Sequence, residues 1–91
     1  MRSAHLIISG RVQGVGYRAW LAEEARARAL NGWVRNRQDG TVEAVLAGPS
    51  DPLNALISAC GTGPAEAEVA RVDVSDWQET LPFGFKVLPT A

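Results

Sequence analysis

The segment Gly10-Arg11-Val12-Gln13-Gly14-Val15-Gly16-Tyr17-Arg18 constrains this chain more than any other. Just before it, Leu6-Ile7-Ile8 within residues 4–9 has the composition of a strand. Just after it the hydrophobic period changes. Tyr17, Leu21, Ala25 and Ala29 recur every four residues, Trp20 and Ala22 widen the stripe, and the alanine-rich run to about Leu30 favours helix. A strand therefore passes through a glycine-rich loop directly into a helix. Amides at a helix start have no intrahelical partner and sit at the positive end of the helix dipole. Gly14 and Gly16 let the backbone curl so that several of these N–H groups converge on one anion. Arg18 stands in the first helical turn, where a cation is locally unfavourable by ~0.3–1 kcal/mol, and its planar fork suits two oxygens of a phosphate. The spacing fits a phosphate site; a flexible turn beside a surface arginine is the alternative.

Two familiar phosphate loops are excluded. The Gly-Lys-Ser/Thr ending of a Walker loop is absent, and with it the hydroxyl that would hold magnesium. The glycine spacing is not that of a dinucleotide fingerprint, and no parallel strand is predicted to follow the helix.

The remaining elements fall in order. Asn31-Gly32 breaks the first helix, and Trp33-Val34-Arg35-Asn36-Arg37 reads as a strand with Val34 and Asn36 on one face. Gln38-Asp39-Gly40 is a hairpin turn leading to a strand over residues 41–46, with Val42, Ala44 and Leu46 on one face. Ser50 or Asp51 is expected to cap a second helix with Pro52 at its first position, and Leu53, Leu56, Ile57 and Cys60 form its buried stripe. A long strand over residues 66–77 changes apolar phase between Val69 and Val72, which predicts a β-bulge near Ala70-Arg71. Residues 85–88 form a short last strand. The order β-α-β-β-α-β, with residues 66–77 and 85–88 read as a split or extended fourth strand, predicts an α+β, ferredoxin-like sandwich: an antiparallel sheet with two helices on one face, occupying residues 1–91 as one domain.

Composition narrows the chemistry. With 91 residues and one core, the chain carries a single histidine, His5, and a single cysteine, Cys60. These cannot form an intramolecular disulfide or a Cys/His metal cluster, and a reducing, cytoplasmic setting is the default. Residues 1–5 lack the apolar run of a signal peptide, and no segment is long enough to cross a membrane. Nine basic side chains nearly balance ten acidic ones, which argues against a general nucleic-acid binder. His5 is expected to be structural or exposed, Cys60 a small core residue, Glu43 a strand-surface or loop-supporting residue, and Trp20, Trp33 and Trp77 core or half-buried anchors. Alone, Asn36 reads as a turn-opening asparagine before the hairpin.

The first glycine-rich segment resembles the first signature of the acylphosphatases. Gly32-Trp33-Val34-Arg35-Asn36-Arg37-Gln38-Asp39-Gly40-Thr41-Val42-Glu43 resembles their second, and Gly63-Pro64, Val69, Val72 and Phe85 fit the looser C-terminal pattern. The resemblance covers nearly the whole chain in order and length. It implies hydrolysis of the carboxyl–phosphate anhydride of a small molecule to a carboxylate and inorganic phosphate, with no metal or organic cofactor; a monomer is the default expectation. It implies that Arg18 binds the phosphoryl oxygens and that Asn36 orients the attacking water. The loop formed by Gln13, Gly14, Val15, Gly16, Tyr17 and Arg18 would complete the cradle. Two positions depart from the family's pattern: Gly16 stands where a larger residue is usual, and Ala29 where a helix-ending glycine is frequent. The physics agrees with the implied roles, because a carboxylate leaving group needs little protonation, so positioning and charge stabilisation suffice. Two other classes compete. One is a non-catalytic phosphate-binding module. The other is an RNA-binding ferredoxin-like domain, which would need exposed aromatics on the central strands and a basic surface.

Overall fold

The computed structural model describes residues 2–91; Met1, read above with the N-terminal segment, lies outside the described residues. The elements follow in the order β1 (Arg2–Arg11), α1 (Tyr17–Ala27), β2 (Asn31–Asn36), β3 (Val42–Gly48), α2 (Ser50–Cys60), β4 (Glu68–Asp76) and β5 (Phe85–Val87). Alternation in β1 buries Ala4, Leu6 and Ile8 under the helices, and β3 buries Val42, Ala44 and Leu46 on the same side. Tyr17, Leu21, Ala22 and Ala25 of α1 and Leu53, Leu56 and Cys60 of α2 close the layer from above. Ile57 packs at its margin.

The sheet order is β4-β1-β3-β2-β5. The four long strands pair antiparallel, with Leu6 opposite Ala44, Ile8 opposite Val72 and Val34 opposite Ala44. The expectation of a purely antiparallel sheet needs one correction: β5 adds to the β2 edge in parallel, with Val87 opposite Val34. Residues 77–84 carry the chain from one edge of the sheet to the other. Hydrogen bonds from the Gly32 amide to the Gly84 carbonyl (3.0 Å) and from the Gly84 amide to Asn31 Oδ1 (2.8 Å) set its direction on arrival.

The bulge falls where the phase shift places it. Ser9 faces Arg71 and Gly10 faces Val69, so Ala70 is the extra residue on β4. Gly10 is required at that point, because its φ is 120° and a Cβ there would collide with the Glu68 carbonyl oxygen.

Two helix boundaries differ from expectation. Helix α1 stops at Ala27, short of Leu30, and Ala29 takes a left-handed φ of 55°. The Leu30 amide bonds the Ala25 carbonyl (2.9 Å) and the Ala29 amide bonds the Arg26 carbonyl (3.1 Å), which is a Schellman ending. Ala29 is therefore off the buried stripe and exposed. Helix α2 has Pro49 at its N-cap and no side-chain cap, in place of the expected Ser50 or Asp51. The helix starts one step earlier because Pro52 is tolerated anywhere in a first turn whose amides are unpaired in any case.

Candidate active site

The cleft is built where β1 hands over to α1. Val12 is buried at 1% exposure and pins the end of the loop to the core. Gly14 and Gly16 then turn through left-handed φ angles of 73° and 79°. Gly16 is the N-cap residue, gives no side-chain cap, and no acidic residue occupies the first turn. Among the described residues, the amides of residues 14–19 have no intramolecular acceptor. The positive end of the α1 dipole is thus open. Arg18 adds a full charge there. One of its terminal nitrogens, Nη1, donates to the Leu88 carbonyl (3.3 Å), and the other N–H groups of the guanidinium have no acceptor among the described residues.

Asn36 closes the opposite wall. It is the last residue of β2, on the helix side of the sheet with Val34. Its carbonyl accepts from the Ala91 amide (3.0 Å), whereas its side-chain amide has no intramolecular partner among the described residues. Gly14, Gly16, Tyr17, Arg18 and Asn36 line one cleft of about 320 Å³, together with Val12, Ala19 and Val87. The structure therefore brings together five of the residues singled out in the sequence.

Gln13 and Val15, expected in the same loop, lie off the cleft. Val15 packs against the core. Gln13 turns its side chain to the β2–β3 hairpin, where Nε2 donates to the carbonyls of Arg37 (2.7 Å) and Thr41 (2.9 Å). It thereby ties the loop to the strand end that carries Asn36. Glutamine in a glycine-rich loop gives no hint in sequence of a partner 24 residues away. Val87 and Ala19 were not singled out either; the parallel docking of β5, which brings Val87 to the cleft, leaves no local signature.

Tyr17 contributes its backbone to the cleft, while its ring is core. Its hydroxyl donates to the Cys60 carbonyl (2.7 Å), and burial, with Cys60 beside it, holds the phenol well above its ordinary range. Burial likewise pushes the Cys60 thiol up to about 11, only partly offset by the Tyr17 hydrogen bond. Neither group is an available nucleophile near neutral pH.

The open face of the sheet carries a different cluster. His5 Nε2 lies 2.7 Å from Glu43 Oε2, and Arg35 Nε donates to Glu43 Oε1 at 2.8 Å. Trp77 stacks on His5 at 5.6 Å and meets Trp33 edge-on at 6.0 Å, and the Arg35 guanidinium lies over Trp33. Burial raises the Glu43 carboxyl, but hydrogen bonds from His5 and Arg35 outweigh it and hold the group below the usual carboxylate range. His5 and Glu43 are thus a structural pair on the strand surface, and all three tryptophans are half-buried.

The acylphosphatase family model matches residues 4–87. An acylphosphatase of Azorhizobium caulinodans is 61% identical over 88 residues, covering 94% of each chain. The crystal structure of an acylphosphatase from Bacillus subtilis superposes with a TM-score of 0.91 at 35% identity, over 97% of this chain and 99% of that one. An acylphosphatase from Coxiella burnetii gives a TM-score of 0.91 at 32% identity, over 96% and 92%.

Proposed function

This chain belongs to the acylphosphatase family, enzymes of acyl phosphate hydrolysis, and we propose that it cleaves the carboxyl–phosphate bond without a metal, by water attack on a phosphoryl group held by Arg18 and the loop amides. The observation that carries this is the set of unpaired polar groups on one cleft: the amides at the start of α1, the Arg18 fork and the Asn36 carboxamide. Arg18 and the amides hold the phosphoryl oxygens and stabilise the charge on them as the bond to the leaving oxygen lengthens. Asn36 accepts a hydrogen bond from the water and aims it in line with that bond. The water oxygen bonds to phosphorus as the P–O bond to the acyl carbon's oxygen breaks, and the electron pair departs on the carboxylate. A water proton passes to a phosphate oxygen, giving carboxylate and dihydrogen phosphate. Asn36 cannot act as a base, and none is required, because the carboxylate leaves without being protonated.

Gly16 suits this cradle: its left-handed backbone would strain any residue with a Cβ. A cytoplasmic monomer acting on a small molecule rather than on nucleic acid completes the proposal. Near-zero net charge supports the last point, and among the described residues no helix is long and apolar enough to cross a membrane.

The test is hydrolysis of a synthetic acyl phosphate in the presence of a chelator. Wild type is expected to keep full activity. Arg18→Ala is expected to lose about a thousandfold in kcat/KM and Asn36→Ala about a hundredfold, both with an unchanged circular dichroism spectrum. Full activity in a folded Arg18→Ala protein, or loss of wild-type activity on chelation, would overturn the mechanism.

A further inference from the structure

We propose that Val87 is the wall against which the acyl group of the substrate rests, so that the site favours acyl phosphates with a bulky apolar acyl group over small ones. This rests on the roles given above to Arg18 and Asn36. Those two side chains and the loop amides account for the polar lining of the cleft. The rest of the lining is apolar, and most of it is closed off: Val12 and Tyr17 are each 1% exposed. Of the apolar side chains in the lining, Ala19 and Val87 are the exposed ones. Val87 is 44% exposed, one of three large hydrophobic side chains left in water among the described residues. The other two, Val74 and Phe83, lie away from the cleft.

The position of Val87 relative to the phosphate is set by hydrogen bonds. Parallel pairing puts Val87 opposite Val34, on the side of the sheet that faces α1. The Leu88 amide bonds the Val34 carbonyl at 2.8 Å, and the Leu88 carbonyl receives Arg18 Nη1. The guanidinium is therefore anchored at the residue that follows Val87. A phosphoryl group on Arg18 has the Val87 side chain beside it, and the acyl carbon is separated from phosphorus by a single bridging oxygen. An aryl or branched acyl group must cover this surface, whereas an acetyl group is too small to cover much of it. Removing an exposed valine from water needs a partner, and the apolar acyl group supplies one.

The experiment compares benzoyl phosphate with acetyl phosphate in the whole chain, with inhibition by inorganic phosphate as the control for the cradle. Val87→Ser is expected to raise KM for benzoyl phosphate about fivefold and for acetyl phosphate less than twofold, with the phosphate inhibition constant unchanged. Val87→Phe is expected to lower KM for benzoyl phosphate relative to acetyl phosphate. If Val87→Ser fails to fold, Val87→Thr keeps the branched shape on the strand and reads the same ratio. Equal changes for both substrates, or no change for either, overturn the assignment of Val87. An Arg18→Ala protein that keeps the wild-type phosphate inhibition constant overturns the premise about the cradle instead.

Discussion

The two faces of the sheet use their polar groups in opposite ways. At the centre of the open face the charges are spent locally: Glu43 takes His5 on one oxygen and Arg35 on the other, and the rings of Trp77 and Trp33 pack over both partners. On the helix face the cleft leaves its polar groups unspent, with the Asn36 carboxamide unpaired and Arg18 making one long hydrogen bond to a carbonyl. Pairing a half-buried charge stabilises the fold; leaving one free at a helix start stores binding capacity for an anion. The lesson is that chemistry here is marked by what lacks a partner rather than by how reactive a residue type is. His5 is the only imidazole in the chain, and its neighbours place it in the structural set.

Gln13 is the group that should belong to both sets, and it offers the sharpest way to break the contrast. It spends its donors structurally, on Arg37 and Thr41, yet those bonds fix the distance between the cradle and Asn36. Gln13→Met keeps the length and removes the donors. We expect stability to fall by about 1–2 kcal/mol in urea denaturation and kcat to fall about tenfold, with the inhibition constant for inorganic phosphate changed less than twofold. A loss of stability with kcat unchanged would show that Gln13 holds the hairpin but does not position the site.

Glu43→Gln probes the other side of the contrast. It removes charge-assisted hydrogen bonds to His5 and Arg35, for an expected loss of about 1 kcal/mol at neutral pH and activity within twofold of wild type. The sign with pH follows from the lowered carboxyl. Its stabilisation is present in full above the ordinary glutamate value of 4.5 and is lost as pH falls through the lower value in the fold. Wild type and variant should therefore converge in stability in acid, as measured by denaturant melts across pH 2–7. A large loss of activity in Glu43→Gln would mean that the open face reaches Asn36 through Arg35, its neighbour on β2.

Much of this was legible in the sequence, and what was not has a physical reason. Periodicity located both helices, and the phase slip between Val69 and Val72 located the bulge, because these signals are local. Strand parity put Asn36 beside Val34, and the first signature put the glycines before Arg18. The parallel β5 edge was not legible: a three-residue strand carries no mark of its direction, which comes from contacts with Asn31 and Gly32 far away in sequence. The same long-range docking hid Val87 and the Leu88 carbonyl. The role of Gln13 was hidden for the converse reason, since residue type and loop position suggested the cradle while its side chain reaches the hairpin. The Glu43 pairing was invisible because register across three strands, β1, β3 and β2, decides it.

Ala29 allows the smallest and cleanest test, remote from both faces. It occupies the C′ position of the Schellman ending with φ at 55°, and its side chain is exposed. An L-residue with a Cβ is disfavoured there by roughly 1 kcal/mol relative to glycine, a cost only partly offset by the greater entropy glycine has in the unfolded chain. Leu30, at 2% exposure, and Ala25 hold the ending shut by burial, which is why the strained residue is tolerated. Ala29→Gly should therefore keep the hydrogen bonds to Ala25 and Arg26 and raise stability by up to about 1 kcal/mol, a few degrees in Tm for a domain of this size. Activity should be unchanged, because the opposite end of α1 carries the cradle. A drop in Tm would mean that the unfolded-chain entropy of glycine outweighs the relief of the left-handed strain. A change in kcat would mean that the end of α1 communicates with its start, and the division between paired structural groups and unpaired cleft groups would have to be redrawn along the helix.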